Sequence, residues 1–160
     1  MDERDFTIEL GKSVKKTYPD SHVWRPSDNF TLGIPDVLAV IPNRKFLAVE
    51  AKQLQRLLAD AFDPGRRKEP LLHHPFTGPQ ISVMKSLERA GAEVWGIVRV
   101  TREHAFRISV PKMPSTGNFT HEELVASGEL VTKGKDGWIF WQRDTLETAS
   151  TSTSTDSLLP

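Results

Sequence analysis

There is no cysteine among the 160 residues. Disulfide staples, cysteine-ligated zinc, thiol nucleophiles and iron–sulfur clusters are therefore excluded. Neither charge is in excess: 21 basic and 21 acidic residues leave a formal charge of zero and a pI near 7.0. The basic balance of many nucleic-acid-binding domains, a pI above about 9, is missing, although charges that cancel in sum can still be separated in space. No apolar run approaches the roughly 18 residues of a membrane helix. The start MDERDF lacks the basic flank and apolar core of a signal peptide. The expectation is a cytoplasmic globular protein of one ordinary domain, which at this length buries roughly two-thirds of its unfolded surface.

What is present reads as alternating helices and strands. Phe6, Leu10 and Val14 recur every four positions, predicting a helix over residues 2–17 with Lys12, Lys15 and Lys16 near its C-terminal end. His22 to Arg25 is β-prone and reads as an edge strand. Val37 to Ile41 and Lys45 to Lys52 flank Pro42-Asn43-Arg44 and predict a hairpin. Leu54, Leu57, Leu58 and Ala61 fall at helical spacing over residues 53–62. Thr77-Gly78-Pro79-Gln80 is a capping box opening a helix that stops at Gly91. Val94 to Val100 then completes a strand–helix–strand crossover, which makes neighbouring strands parallel. Ala105 to Val110 reads as another strand and Thr120 to Ala126 as a second capped helix. Leu130 to Thr132 and Trp138 to Gln142 predict a hairpin around Lys133 to Gly137. Residues 148–160 are Ser/Thr repeats with no core-forming period, a disordered tail by composition.

The chemistry concentrates in Gly33-Ile34-Pro35-Asp36, thirteen intervening residues, and Glu50-Ala51-Lys52. Strand alternation puts Glu50 and Lys52 on one face. If Pro42-Asn43-Arg44 is a three-residue loop, Ile41 pairs with Lys45 and Asp36 falls opposite Glu50, with Cβ atoms about 5 Å apart. An even-numbered loop without a bulge places the two acids on opposite faces. Two facing carboxylates repel each other unless a cation joins them. Mg²⁺ suits such a pair, since it takes one or two protein carboxylates and keeps several waters. A lysine on the same surface would orient an attacking water and neutralise charge developing on phosphate oxygens.

These residues resemble the PD-(D/E)XK nucleases of restriction-endonuclease-like fold. Pro35-Asp36 matches the first half of that motif and Glu50-Ala51-Lys52 the second; the helix before and the helix and strand after agree with it. The resemblance covers roughly residues 2–100. It implies an α/β protein, a mixed β-sheet flanked by helices with an α-β-β-β-α-β core, here followed by a small C-terminal α+β extension over 101–147. Members with a Gly-x-Pro-Asp opening include phage nucleases, Holliday-junction resolvases and virus-type replication–repair nucleases. The implied activity is Mg²⁺-dependent hydrolysis of DNA in phage or bacterial recombination, repair or processing, with Mn²⁺ as a substitute metal and products bearing a 5′-phosphate and a 3′-hydroxyl. DNA is the implied partner, and junction cutting would require a homodimer. No nucleotide cofactor is implied.

By the same resemblance Asp36, Glu50 and the Ala51 carbonyl would bind metal, Lys52 would position water, and a helix-borne acid and a glutamine would complete the site. Glu9, on the flank of the first apolar stripe, is the candidate acid; it reads equally well as a solvated surface residue, and Glu3 lies near the same stripe. Gln80 is the candidate glutamine, with the capping box as its alternative role. Between Asn43 and Lys68, Arg44, Lys45, Lys52, Arg56, Arg66, Arg67 and Lys68 stand against three acids. Of these, Arg44, Lys45, Arg56, Arg66, Arg67 and Lys68 are the expected DNA-backbone contacts. His73-His74 lacks a third ligand at suitable spacing, and His22, His104 and His121 read as surface or strand-end residues. The tryptophans read as core or sheet-face residues, with either Trp138 or Trp141 exposed if both lie on one strand. Two other readings stand beside the nuclease: a non-catalytic DNA-binding or assembly module on the same fold, and a metal enzyme acting on a small phosphorylated substrate.

Overall fold

The computed structural model describes residues 3–26, 33–54, 57–58, 70–72, 76–113, 119–138 and 140–141. Helix α1 (Glu3–Thr17) leads to strands β1 (His22–Trp24), β2 (Val37–Val40) and β3 (Leu47–Gln53). A short β4 (Pro70–Leu72) precedes α2 (Gly78–Arg89), β5 (Glu93–Arg99) and β6 (His104–Ser109). The chain continues through a 3₁₀ turn at Val110–Lys112 into β7 (Phe119–Thr120), α3 (His121–Ser127), β8 (Glu129–Gly134) and β9 (Gly137–Trp138). Seven strands form one mixed sheet in the order β1-β2-β3-β5-β6-β8-β9, and β4 pairs with β7 apart from it. This is the mixed sheet flanked by helices that the resemblance implies. The segment beyond residue 100 adds β6, β8 and β9 to that same sheet.

The β3–β5 pair is parallel and its neighbours are antiparallel. The chain must therefore cross over between Gln53 and Glu93, and α2 lies on that crossover. Alternation along the strands divides the core in two. Val37, Ala39, Leu47, Val49, Ala51 and Ile97 pack under α1, through Phe6, Leu10 and Val14. Ala48, Val94, Val98 and Val100 pack under α2, through Ile81 and Met84. No helix among the described residues is long and apolar enough to cross a membrane.

Some expectations change. Gln53 ends β3 instead of starting a helix. Leu54 N–H and Leu58 N–H donate to the carbonyls of Arg99 and Val100, so this stretch is tied to the end of β5 and its backbone groups are not free for a helical ladder. The remainder of residues 55–62, apart from Leu57, lies outside the described residues, as does the Ser/Thr-rich tail. His121 is not a surface residue: it opens α3 with 2% of its surface exposed. Trp138 and Trp141 are both buried on the α1 side; Trp138 lies on β9 and Trp141 outside any strand, so alternation along one strand does not relate them.

Candidate active site

The β2–β3 hairpin turns at Pro42-Asn43, where Arg44 N–H donates to the Ile41 carbonyl at 3.1 Å. Proline followed by a residue of positive φ (Asn43, φ 60°) is the pattern of a type II turn. It sets the register Val37↔Val49, Leu38↔Ala48, Ala39↔Leu47. Continued by one residue, that register brings Asp36 opposite Glu50, as the three-residue loop predicts. β2 begins only at Val37, so Ala51 N–H lies beyond its ladder partners. The Asp36 carboxylate accepts from it instead, Oδ2 at 2.8 Å.

Glu50 is 1% exposed. Its strand partner on β5 is Gly96, and a Cβ there would meet Met113 Cε at 2.6 Å and Phe76 Cζ at 2.7 Å. Apolar atoms thus occupy the place of a side chain beside Glu50 and keep water from it. This burial first, and the Asp36 carboxylate second, push the Glu50 carboxyl up to about 9, against the opposing pull of Lys52. Lys52 Nζ stands 3.5 Å from Glu50 Oε1. The other oxygen, Oε2, is buried and has no hydrogen-bond partner among the described residues.

Gln80 fills both of its expected places at once. Its backbone N–H donates to Thr77 Oγ1 at 3.3 Å and its Oε1 accepts from Thr77 N–H at 2.9 Å, closing the capping box. With the amide oxygen held there, Nε2 points the other way and donates to Glu50 Oε1 at 2.8 Å. Gly33 fixes the helix against the Gly-Ile-Pro-Asp segment: its φ is +86°, and a Cβ would lie 2.6 Å from the Pro79 carbonyl oxygen. Gly33 belongs to the motif read from the sequence, but its packing against α2 was not legible there, nor were Gly96 and Phe76 as parts of the site. Glycines at two close approaches were the available signal, and only the positions of their neighbours give it meaning.

Glu9 is not brought to this cluster. α1 covers the opposite face of the sheet, and the Glu9 carboxylate accepts from Trp138 Nε1 at 2.6 Å and Lys133 Nζ at 3.0 Å. Burial raises its pKa, but these two hydrogen bonds and the Lys133 and Arg99 charges outweigh it and hold the carboxyl below its usual value. Glu3, the alternative acid, accepts from Gln53 N–H at 3.2 Å, at the end of β3 nearest Lys52. Arg44 and Lys45 also stand apart. They border a cleft of about 810 Å³ at the turn end of the hairpin, with Tyr18, Glu93, Trp95 and Arg107. There Arg44 pairs with Glu93 at 3.0 Å and stacks on Tyr18. Lys45 stands five positions before Glu50, about 17 Å along an extended chain. Arg44 and Lys45 thus lie at the turn end of the hairpin, away from the acids. Arg56, Arg66, Arg67, Lys68, His73 and His74 lie outside the described residues.

Among the described residues no cluster of three or more His, Asp or Glu side chains could hold a metal. What is gathered still fits a hard divalent cation, which commonly takes only one or two protein carboxylates. Glu50 Oε2 has no donor among the described residues and lies by a second carboxylate, a setting that a shared proton or a bound cation would satisfy. The fold and these side chains define an α/β protein with an acid pair, a lysine and an amide at one point of a mixed sheet.

No family model and no curated protein matches the chain. Among solved structures it is similar to Hjc, a Holliday junction resolvase of the archaeal hyperthermophile Archaeoglobus fulgidus. The two are 18% identical, the match covers 78% of this chain and 90% of that one, and the TM-score is 0.48. At that identity and TM-score it adds nothing to what the residues themselves say about chemistry.

Proposed function

We propose that this protein is a divalent-metal-dependent nuclease that hydrolyses phosphodiester bonds of DNA, with Mg²⁺ as the metal and Mn²⁺ as a substitute. The observation that carries this reading is the juxtaposition of Asp36, Glu50 and Lys52, with one oxygen of the buried Glu50 left without a partner among the described residues. Asp36, Glu50 and the Ala51 carbonyl would hold the ion. When bound, it supplies positive charge against the phosphate and lowers the pKa of water.

The chain's own residues supply the rest. Asp36 is anchored by Ala51 N–H through one oxygen, which fixes its position on the strand without using the whole carboxylate. Gln80 Nε2 and Lys52 Nζ both meet Glu50 Oε1 and leave Oε2 open. The Lys52 ammonium would orient the attacking water and stabilise charge on the phosphorus oxygens as the bond to the leaving sugar oxygen breaks.

Purified protein incubated with Mg²⁺ and linear, flapped and four-way DNA should cleave at least one form, and EDTA should stop it. Asp36→Asn should reduce cleavage to background. Lys52→Ala should lower it by about 10²–10³-fold, the range for loss of one transition-state stabilising group. Circular dichroism should show both variants folded. Undiminished cleavage in both, or DNA binding without cleavage by the parent protein, would reject the enzyme; the second result would identify a binding module on this fold.

A further inference from the structure

The acid pair and lysine occupy one part of the face of the sheet that α2 covers; His22, Trp24 and Val40 lie on the same face over β1 and β2. The register His22↔Val40 and Trp24↔Leu38 puts these residues on the side of Asp36, since Leu38 and Val40 alternate with the residues packed under α1. Trp138 and Trp141 are buried and Trp95 is partly buried, whereas Trp24 is 37% exposed and its neighbour Val40 51%. Trp24 belongs to neither core. The indole stands on an edge strand, outside both cores, with part of its ring open to water.

Trp24 meets the rings of His22 at 5.3 Å and Phe46 at 5.8 Å. His22 pairs with Val40, and the hairpin register carried back toward the turn places Phe46 opposite Val40 as well. Both ring contacts therefore come from residues farther than Leu38 from Asp36. Asp36 itself is two residues before Leu38, so its α-carbon is the diagonal neighbour of Trp24, about 7–8 Å away. An unstacked strand advances farther per nucleotide than the ~3.4 Å rise of a stacked one, so this is about one nucleotide step.

We propose that Trp24 is a stacking platform for a base lying one or two nucleotides from the scissile phosphate, and that it selects DNA with unstacked bases, such as single strands, flaps or branch points, over continuous duplex. The inference rests on the nuclease reading and names the substrate class of that same site. A base inside a duplex already stacks on its neighbours and cannot present its face to an indole, whereas an unpaired base can, whatever its identity.

The test uses the full chain carrying Asp36→Asn, in EDTA, so that binding is read without cleavage. Labelled single-stranded, flapped and duplex oligonucleotides are titrated by fluorescence anisotropy. Trp24→Ala should weaken the single-stranded and flapped complexes about 10–100-fold and the duplex complex less than about twofold, while Trp24→Phe should restore most of the loss. Tryptophan emission should be quenched by single-stranded DNA, and the quenching should be lost in Trp24→Phe. Equal weakening on all three DNAs, no weakening, or quenching that persists in Trp24→Phe would overturn the platform. So would a concentration-dependent dimer that Trp24→Ala abolishes with DNA affinity unchanged, which would make the patch a self-association surface. Any of these results alongside Asp36-dependent cleavage by the parent leaves the nuclease standing. A parent protein that neither binds nor cuts DNA removes both.

Discussion

At Glu50 one residue must satisfy two demands that conflict in the absence of metal. Burial and the facing Asp36 raise its pKa to about 9; in the unfolded chain it returns to the ordinary value near 4.5. Between those values the folded state holds a proton that the unfolded state has lost, so folding stability falls as pH rises. Below about 4.5 both states are protonated and this residue contributes no slope. Denaturation of the metal-free protein in EDTA should therefore show stability declining from about pH 5 to pH 9. Glu50→Gln should remove that decline and raise stability at pH 8 by on the order of 1–3 kcal/mol, the scale of a buried unsatisfied polar group. Divalent metal should reverse the decline in the parent protein and leave Glu50→Gln nearly unchanged, because a ligand that binds only the folded state stabilises it by mass action.

At the scale of an element, α2 joins folding to chemistry through one side chain. Thr77→Ala removes the cap hydroxyl but keeps the N–H that holds the Gln80 amide. It should cost about 1 kcal/mol in urea denaturation and leave Mn²⁺ affinity, read by the electron paramagnetic resonance of free Mn²⁺, within about threefold. Gln80→Ala should cost a similar amount of stability and also weaken Mn²⁺ binding, since Glu50 loses its neutral donor. Equal metal affinity in the two variants would mean that the amide serves only the helix.

The same contrast shows what the sequence could disclose. Thr77 and Gln80 were readable because a capping box is a local pattern, and Asp36 opposite Glu50 was readable because a three-residue turn fixes a register. Both depend on a handful of neighbouring residues. The stretch after Gln53 was misread because its backbone is claimed by Arg99 and Val100, which are distant in sequence. β4 and β7, at three and two residues, are too short to carry a period. Glu9 sits on the flank of its helix, and periodicity alone does not say whether a flank meets a metal site or, as here, Lys133 and Trp138 from the opposite end of the chain.

Across the whole molecule the two faces of the sheet divide the work. The α2 face carries Asp36, Glu50 and Lys52; the α1 face carries the ties that hold the ends of the chain together. Glu9 is the clearest of these, linking α1 to β8 and β9 through two hydrogen bonds. Glu9→Ala should lower stability by about 1.5–3 kcal/mol, as expected for hydrogen bonds to a charged group. Below its melting temperature the variant should cleave DNA at the parent rate; a loss of Mn²⁺ affinity would instead bring Glu9 back to the site. The even charge balance also takes on a spatial meaning. Arg44, Lys133 and Arg107 are paired with Glu93, Glu9 and Glu129, and these pairs contribute to the zero sum far from the acid pair.

The parallel β3–β5 pair has a consequence for how the site comes into being. Asp36 and Glu50 are joined by a tight turn, so their strands can meet through a short loop at small entropic cost. Gln80 travels on the crossover between Gln53 and Glu93, and it reaches Glu50 only when that long segment has closed and α2 has docked. The short turn thus favours the two acids meeting before the amide reaches them, and Glu50 takes up its proton only as closure of the crossover buries it. The Gln80–Glu50 hydrogen bond is therefore a marker of completed folding around the acid pair.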